Sequence, residues 1–251
     1  MPRFFIRNDQ VFEKELCLRG ADAHHVARSL RMAVGDDLTV CDMQGREYAC
    51  RITSFVADTE VWAQILSVRE AENEPPCRIR LFQALPKGDK LDTVIQKAVE
   101  CGVCEIIPFE SERCVVRMKP DAEERKTERR ARIAAEAAKQ CGRSVIPTVS
   151  ETVSFDEMLV EASHSELCLF CYEGDGTLPL GQVLREHADL LRNGGTISVV
   201  IGSEGGFSQS ELAAAMQAGM LAIGLGKRIL RTETAPLFVL SCLVYVGELE
   251  G

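Results

Sequence analysis

The chain has 251 residues, is 46% hydrophobic and carries a net charge of −9, enough for one large domain or two modest ones with ample core. Its first residues, Met1-Pro-Arg-Phe-Phe-Ile-Arg-Asn8, predict no secretory signal, and no apolar run is long enough to cross a bilayer. Its eleven cysteines, without an export signal, predict reduced thiols in the cytoplasm and no disulfide framework. The acidic balance argues mildly against a nucleic-acid partner, but it averages over a basic cluster at Arg113, Arg117, Lys119, Arg125, Lys126, Arg129, Arg130, Arg132, Lys139 and Arg143. Near the start, Arg3, Arg7, Arg19, Arg28 and Arg31 add more, so charge alone leaves RNA binding open.

In chain order, residues 1–72 read as a small, mostly β unit. Residues 3–6 are strand-like. Residues 22–32 have helical spacing, with Asp22 as the cap and Val26, Leu30 and Met32 facing inward. Gly35-Asp36-Asp37 makes a turn, Gln44-Gly45 and Ala57-Asp58 make hairpin turns, and strands are predicted at 38–41, 47–55 and 60–67. Adjacent His24 and His25 point about 100° apart on a helix and have no acidic or cysteine partner at a helical interval, so no metal is expected there. Residues 71–76, Ala-Glu-Asn-Glu-Pro-Pro, form a polar linker at a change of periodicity.

From residue 73 to 251 the pattern alternates β and α. Strands are predicted at 79–85, 104–108, 145–149, 167–172, 196–201 and 221–225. Helices are predicted at 89–101, 122–141, 155–162, 180–192, 208–218 and 235–249. Apolar strands alternating with helices indicate an α/β domain with a mainly parallel sheet. Two Cys-x-x-Cys pairs carry no metal expectation: Cys168 and Cys171 point to opposite faces of one strand, and Cys101 and Cys104 straddle a helix end at Gly102.

Two glycine-rich loops close the chain, Ile201-Gly-Ser-Glu-Gly-Gly-Phe207 and Leu225-Gly-Lys-Arg-Ile-Leu-Arg-Thr-Glu-Thr-Ala235. Each follows a short apolar strand and leads into a helix start. Ser208 and Glu211 form a Ser-x-x-Glu capping box; Thr234 is placed to cap the last helix, with Pro236 in its first turn. Bare glycine backbone admits a ligand closely and offers its amides as donors. Tyr172 and Glu173 end a preceding strand at the sheet edge where ligands bind in such folds. Neither a Gly-x-Gly-x-x-Gly fingerprint after the first strand nor a Gly-Lys-Ser/Thr phosphate loop is present, so no ordinary dinucleotide or nucleotide-phosphate site is expected.

These two loops, with Lys87-Gly-Asp-Lys90, Ile95-Gln-Lys-Ala-Val-Glu-Cys-Gly-Val103, Ser111-Glu-Arg-Cys114, Glu136-Ala-Ala-Lys-Gln-Cys-Gly-Arg143 and His24-His-Val-Ala-Arg-Ser-Leu-Arg31, resemble the bacterial family of 16S ribosomal RNA uridine-N3 methyltransferases, of the SPOUT class. Ser203 stands where many members have proline. The resemblance implies a carboxyl-terminal SPOUT-type parallel sheet with a deep trefoil knot, an exception to unknotted chains, and an amino-terminal PUA-like RNA-binding β-barrel. It further implies S-adenosylmethionine as cofactor, 16S ribosomal RNA or the small ribosomal subunit as partner, and a homodimer, with no membrane and no metal.

On that reading Ile201, Gly202, Gly205, Gly206, Leu225, Ile229 and Leu230 would hold the cofactor by backbone groups, with Tyr172, Glu173, Glu204, Gly226, Arg231, Thr234 and Ala235 around it. The acceptor is an imide nitrogen that must lose its proton, so a carboxylate is needed as base, Glu233 ahead of Glu204. Arg231 would stabilise the developing uracil anion; alternatively Arg231 and Glu233 pair with each other or with a dimer partner. Arg3, Arg7, Arg28, Arg31, Arg113 and Arg117 are the expected phosphate contacts. The motifs specify the cofactor better than the acceptor. A methyltransferase of another RNA, or a ribosome-assembly factor that binds RNA without catalysis, fits the same residues.

Overall fold

The computed structural model describes residues 1–117 and 120–250; Lys119 of the basic cluster lies outside the described residues. The chain forms two compact units. One holds Met1–Glu74 and takes back Ala138–Ile146; the other holds Pro75–Ala137 and the chain from Pro147 onward. The expected division at residue 72 includes no such returning segment.

The first unit contains β1 (Arg3–Phe5), β2 (Glu15–Arg19), α1 (Ala21–His24), β3 (Asp37–Cys41), β4 (Arg46–Val56) and β5 (Glu60–Glu70). They form one sheet in the order β1-β3-β4-β5-β2, with β1 parallel to β3 and the remaining pairs antiparallel. β1 and β2 are the two ends of that order. Alternate positions of β4 and β5 turn inward, as the period-2 pattern requires, and join Phe4, Leu16, Leu18, Val26, Leu38 and Val40 in a closed apolar core. β2 has no counterpart among the strands predicted from the sequence. The predicted helix 22–32 is short: α1 passes into a π turn over His25–Ser29. Its N-cap is Gly20 rather than Asp22, whose carboxylate instead pairs with Lys139 at 2.7 Å. Leu30, expected to face inward, is 40% exposed, because the π turn rotates the residues that follow it.

The second unit begins with β6 (Arg78–Ala84), α2 (Lys90–Glu100), β7 (Glu105–Glu110), α3 (Pro120–Cys141), β8 (Thr148–Val149), β9 (Val153–Ser154), α4 (Phe155–Ala162) and β10 (Leu167–Cys171). It continues with β11 (Leu178–Pro179), α5 (Leu180–Glu186), α6 (Ala188–Arg192), β12 (Thr196–Ile201), α7 (Gln209–Gln217), β13 (Leu221–Gly224) and α8 (Ala235–Val244). All strand pairs are parallel, in the order β11-β13-β10-β12-β6-β7-β8, with β9 on β7. Central strands buried on both faces explain the continuous apolar runs. α2 shows the amphipathic stripe of a surface helix, burying Leu91, Val94, Ile95, Ala98 and Val99.

The helix predicted over 180–192 breaks at His187, whose φ is −115°. The last helix starts where expected, with Pro236 in its first turn, but Thr234 makes no side-chain cap. Among the described residues no helix is long and apolar enough to cross a membrane, and no cluster of three metal-ligating side chains occurs.

Candidate functional site

The chain order reverses direction across the sheet between β6 and β12, and ligands in open α/β sheets bind beyond the carboxyl ends of strands near such a point. The two glycine loops leave the carboxyl ends of β12 and β13, and they line a cavity of about 590 Å³, within the range of roughly 300–1,000 Å³ usual for small-molecule sites. Every residue expected at the cofactor lines it except Thr234: Tyr172 and Glu173, Ile201 to Gly206, and Leu225, Gly226 and Ile229 to Arg231 with Ala235. Glu233 is outside the lining.

The first loop is fixed from several sides. Phe207 is buried, its ring 4.2 Å from that of Phe170 and stacked at 6.3 Å on Phe109. Ser208 and Glu211 form the expected capping box: the Ser208 hydroxyl accepts from the Glu211 amide at 3.2 Å and the Ser208 amide donates to Glu211 Oε2 at 2.9 Å. The other Glu211 oxygen accepts from the Glu112 amide at 2.8 Å. Arg113 donates to the Gly205 carbonyl at 3.1 Å. A Cβ on Gly205 would lie 2.9 Å from Arg113 Cβ and 3.2 Å from its carbonyl oxygen, so only glycine fits this approach.

The second loop starts at Gly226, whose φ of +102° is a conformation side chains rarely adopt. It is tied to the first loop by Thr232. The Thr232 hydroxyl donates to the Gly202 carbonyl at 2.7 Å and accepts from Gln83 Nε2 at 3.1 Å. Both Thr232 and Gln83 are buried. Beside the cavity, Tyr172 anchors its hydroxyl on Gln209, which donates to it at 3.2 Å. Burial pushes the Cys171 thiol up to about 12, so the sulfur in the wall is a neutral thiol and no nucleophile at neutral pH.

The charges follow from position. Glu204 accepts from the Lys87 amide at 3.1 Å and from Lys90 Nζ at 2.8 Å. Burial works to raise its pKa, but the hydrogen bonds from Lys90, its own backbone and Lys87 outweigh it and hold the carboxyl below the usual range. The Lys90 ammonium is stabilised in turn, chiefly by the hydrogen bond to Glu204. Glu233 Oε2 lies 3.4 Å from the same ammonium, without hydrogen-bond geometry. Arg231 lines the cavity and has no ion pair among the described residues; it does not pair with Glu233.

The expected RNA contacts separate into three kinds. Arg3 is a half-buried strut inside the first unit, its Nη1 bonded to Glu47 at 2.5 Å and to Cys41 Sγ at 3.0 Å. Arg7, Arg28 and Arg31 are exposed. Arg7 faces Asp9 at 3.5 Å and Arg28 holds Asp58 at 2.7 Å; Arg31, at a φ of 53°, has no acidic partner among the described residues. In the second unit Arg113 is engaged with Gly205, and Arg117 bonds Glu110 and the Glu112 carbonyl. Sequence reasoning missed Lys90, Thr232, Gln83 and the role of Arg113. One local signal marks Lys90: it is a cation on the first turn of a helix, where the macrodipole disfavours positive charge.

A family model described as an RNA methyltransferase domain matches residues 73–244, and one described as an RNA methyltransferase PUA domain matches residues 18–65. Ribosomal RNA small subunit methyltransferase E of Bacillus subtilis is 33% identical over 99% of this chain and 98% of its own length. A putative methyltransferase from Legionella pneumophila, solved in complex with the bound cofactor SAM, superposes with a TM-score of 0.84 at 32% identity, covering 98% of this chain and 97% of that one. A ribosomal RNA small subunit methyltransferase E from Neisseria gonorrhoeae, solved bound to S-adenosyl methionine, gives 0.83 at 30% identity, with 98% of each chain covered.

Proposed function

The chain belongs to the ribosomal RNA small subunit methyltransferase E family, and on that premise we propose that it transfers the methyl group of S-adenosylmethionine to N3 of a uridine in 16S ribosomal RNA. The observation that carries this is the single cavity walled by both glycine loops at the carboxyl edge of the parallel sheet. The residues fit the cofactor: bare backbone at Gly202, Gly205 and Gly206 forms a cradle that a Cβ at Gly202 or Gly205 would crowd. When bound, the cofactor supplies an electrophilic sulfonium methyl, which leaves binding, orientation and charge to the protein.

Of the two carboxylates, Glu204 is a poor base because Lys87 and Lys90 hold it ionised and engaged. Glu233 makes no hydrogen bond through Oε2, and we assign it the N3 proton. Arg231, unpaired among the described residues, is assigned to the developing charge on the uracil. Arg7, Arg28 and Arg31 are assigned to phosphates, in an RNA-binding unit over residues 1–72. The target base must leave its stack to reach the cavity.

The trefoil knot that the resemblance implies is part of the same reading. Phe238, Tyr245 and Leu249 are exposed apolar side chains on the last helical segment, 39%, 53% and 70% accessible, and support a homodimer through it. The proposed place of action is the bacterial cytoplasm.

The test is methyl transfer from isotopically labelled cofactor to small ribosomal subunits, free 16S RNA and transfer RNA, with nucleosides identified by mass spectrometry. Label in 3-methyluridine from 16S RNA is expected. Label confined to transfer RNA or to another nucleoside would overturn the acceptor. Absent cofactor binding in calorimetry, with the protein folded and subunits present, would overturn catalysis.

A further inference from the structure

Apart from holding Glu204, the Lys87-Gly-Asp-Lys90 turn has no role in the function as derived so far, yet the Lys90 side chain reaches both glycine loops. Lys90 is the first residue of α2. Its ammonium is 2.8 Å from Glu204 of the first loop and 3.4 Å from Glu233 of the second. The Lys87 amide, three residues beyond the end of β6, also donates to Glu204. Gly88 has a φ of +64°, which turns the chain between these two donors.

Three physical points give this arrangement a purpose. A lysine at a helix start sits against the positive end of the macrodipole, an arrangement that is disfavoured unless something else holds it. Here two carboxylates do. Without the ammonium, two carboxylates brought to one place would repel, and each would favour swinging toward solvent. The partners are also unequal: Glu204 keeps the Lys87 amide when Lys90 is removed, whereas Lys90 is the only ion-pair partner of Glu233 among the described residues.

We propose that Lys90 is a positioning residue that yokes the two glycine loops through Glu204 and Glu233 and so fixes the Glu233 carboxylate, which stands outside the lining, relative to the cavity. The inference rests on the reading of Glu233 under the proposed function. Lys90 acts through a carboxylate and is not itself assigned to the cofactor or the uracil. The yoke links loops that are joined elsewhere by the Thr232 hydroxyl, so it acts on the angle between them more than on the fold.

The test pairs Lys90→Met with Glu233→Gln, and adds Lys90→Arg as the conservative variant. Cofactor affinity by calorimetry on the protein alone reads the yoke without activity. Lys90→Met is expected to weaken binding about 10-fold with the melting temperature nearly unchanged. The double variant should be no weaker than Lys90→Met alone, and Lys90→Arg should recover most of the affinity. With small subunits as substrate, Lys90→Met should lower kcat by 10-fold or more and leave KM for RNA within 2-fold.

Additive losses in the double variant would overturn the proposal, because Lys90 would then act independently of Glu233. So would a rise in KM alone, which marks a phosphate contact, or loss of affinity in step with melting temperature, which marks a structural lysine. If the wild-type protein methylates no RNA, the function reading fails, and the calorimetric cycle still decides whether the yoke exists.

Discussion

The loop after β12 and the loop after β13 line the same cavity, yet only the first is built into the core. Phe207 sits among Phe109, Phe155 and Phe170, Glu211 receives two backbone amides, and Arg113 closes over Gly205. The second loop exposes Gly226 to Ile229, with Ile229 77% accessible, and among the described residues its side-chain ties to the rest of the protein are those of the Thr232 hydroxyl and of Glu233 to Lys90. Burial and hydrogen bonding set local opening free energies, so the first loop is a fixed wall and the second a segment held at one end. A fixed wall suits the part of a ligand common to every turnover; the freer edge suits the side on which a large acceptor or a second subunit arrives.

Breaking the fixed side should cost most. Phe207→Ala removes the centre of the aromatic cluster and should destabilise the protein by about 3–5 kcal/mol, a fall in melting temperature of roughly 10 °C by calorimetry. Gly205→Val overpacks the contact with Arg113 by about 1–3 kcal/mol, and with the fold retained should weaken cofactor affinity on the order of 10- to 100-fold. Normal affinity in that variant would remove the first loop from the site.

Cutting the tie is expected to be milder. Thr232→Val removes the hydroxyl's hydrogen bonds to the Gly202 carbonyl and from Gln83 Nε2 and should cost about 1–2 kcal/mol, seen as a several-fold loss of cofactor affinity. Ile229→Ser on the free edge should change stability by less than about 0.5 kcal/mol; a large drop would show that this edge is packed.

The smallest effect is in pH. The Glu204 carboxyl is held below its ordinary pKa, so its stabilising contribution is present above the unfolded value and is lost as pH falls through the folded one. The gap in melting temperature between the wild type and Glu204→Gln should narrow as pH is lowered from neutrality to below about 4, the ordinary carboxylate range. A constant gap would mean that Glu204 is not engaged.

Which of this was readable before the structure depended on how local the cause was. Ser208 and Glu211 are three residues apart, and their capping box was legible. So were the alternation of strands and helices and the glycine loops that end two of the strands. Lys90 and Glu204 are 114 positions apart, Gln83 and Thr232 are 149 apart, and no periodicity relates such pairs. The ion pair of Arg3 was hidden for the same reason: its partner Glu47 lies two strands away in the sheet. α5 and α6 read as one helix because the break at His187 comes from backbone geometry, with no glycine or proline to announce it. Thr234 occupies the cap position that its residue type predicts, but its backbone is already helical there, so the side chain cannot turn back on the first amides.

The placement of Phe207 has a consequence for how this molecule tolerates change. One side of the residue is hydrophobic interior and the other, one peptide away, is the Gly206 backbone in the cavity wall. A substitution at Phe170 or Phe109, chosen only to repack the interior, would therefore shift the wall and be registered as altered cofactor affinity. Selection for thermal stability and selection for affinity would draw on the same small set of aromatic positions, and neither property could drift far without the other.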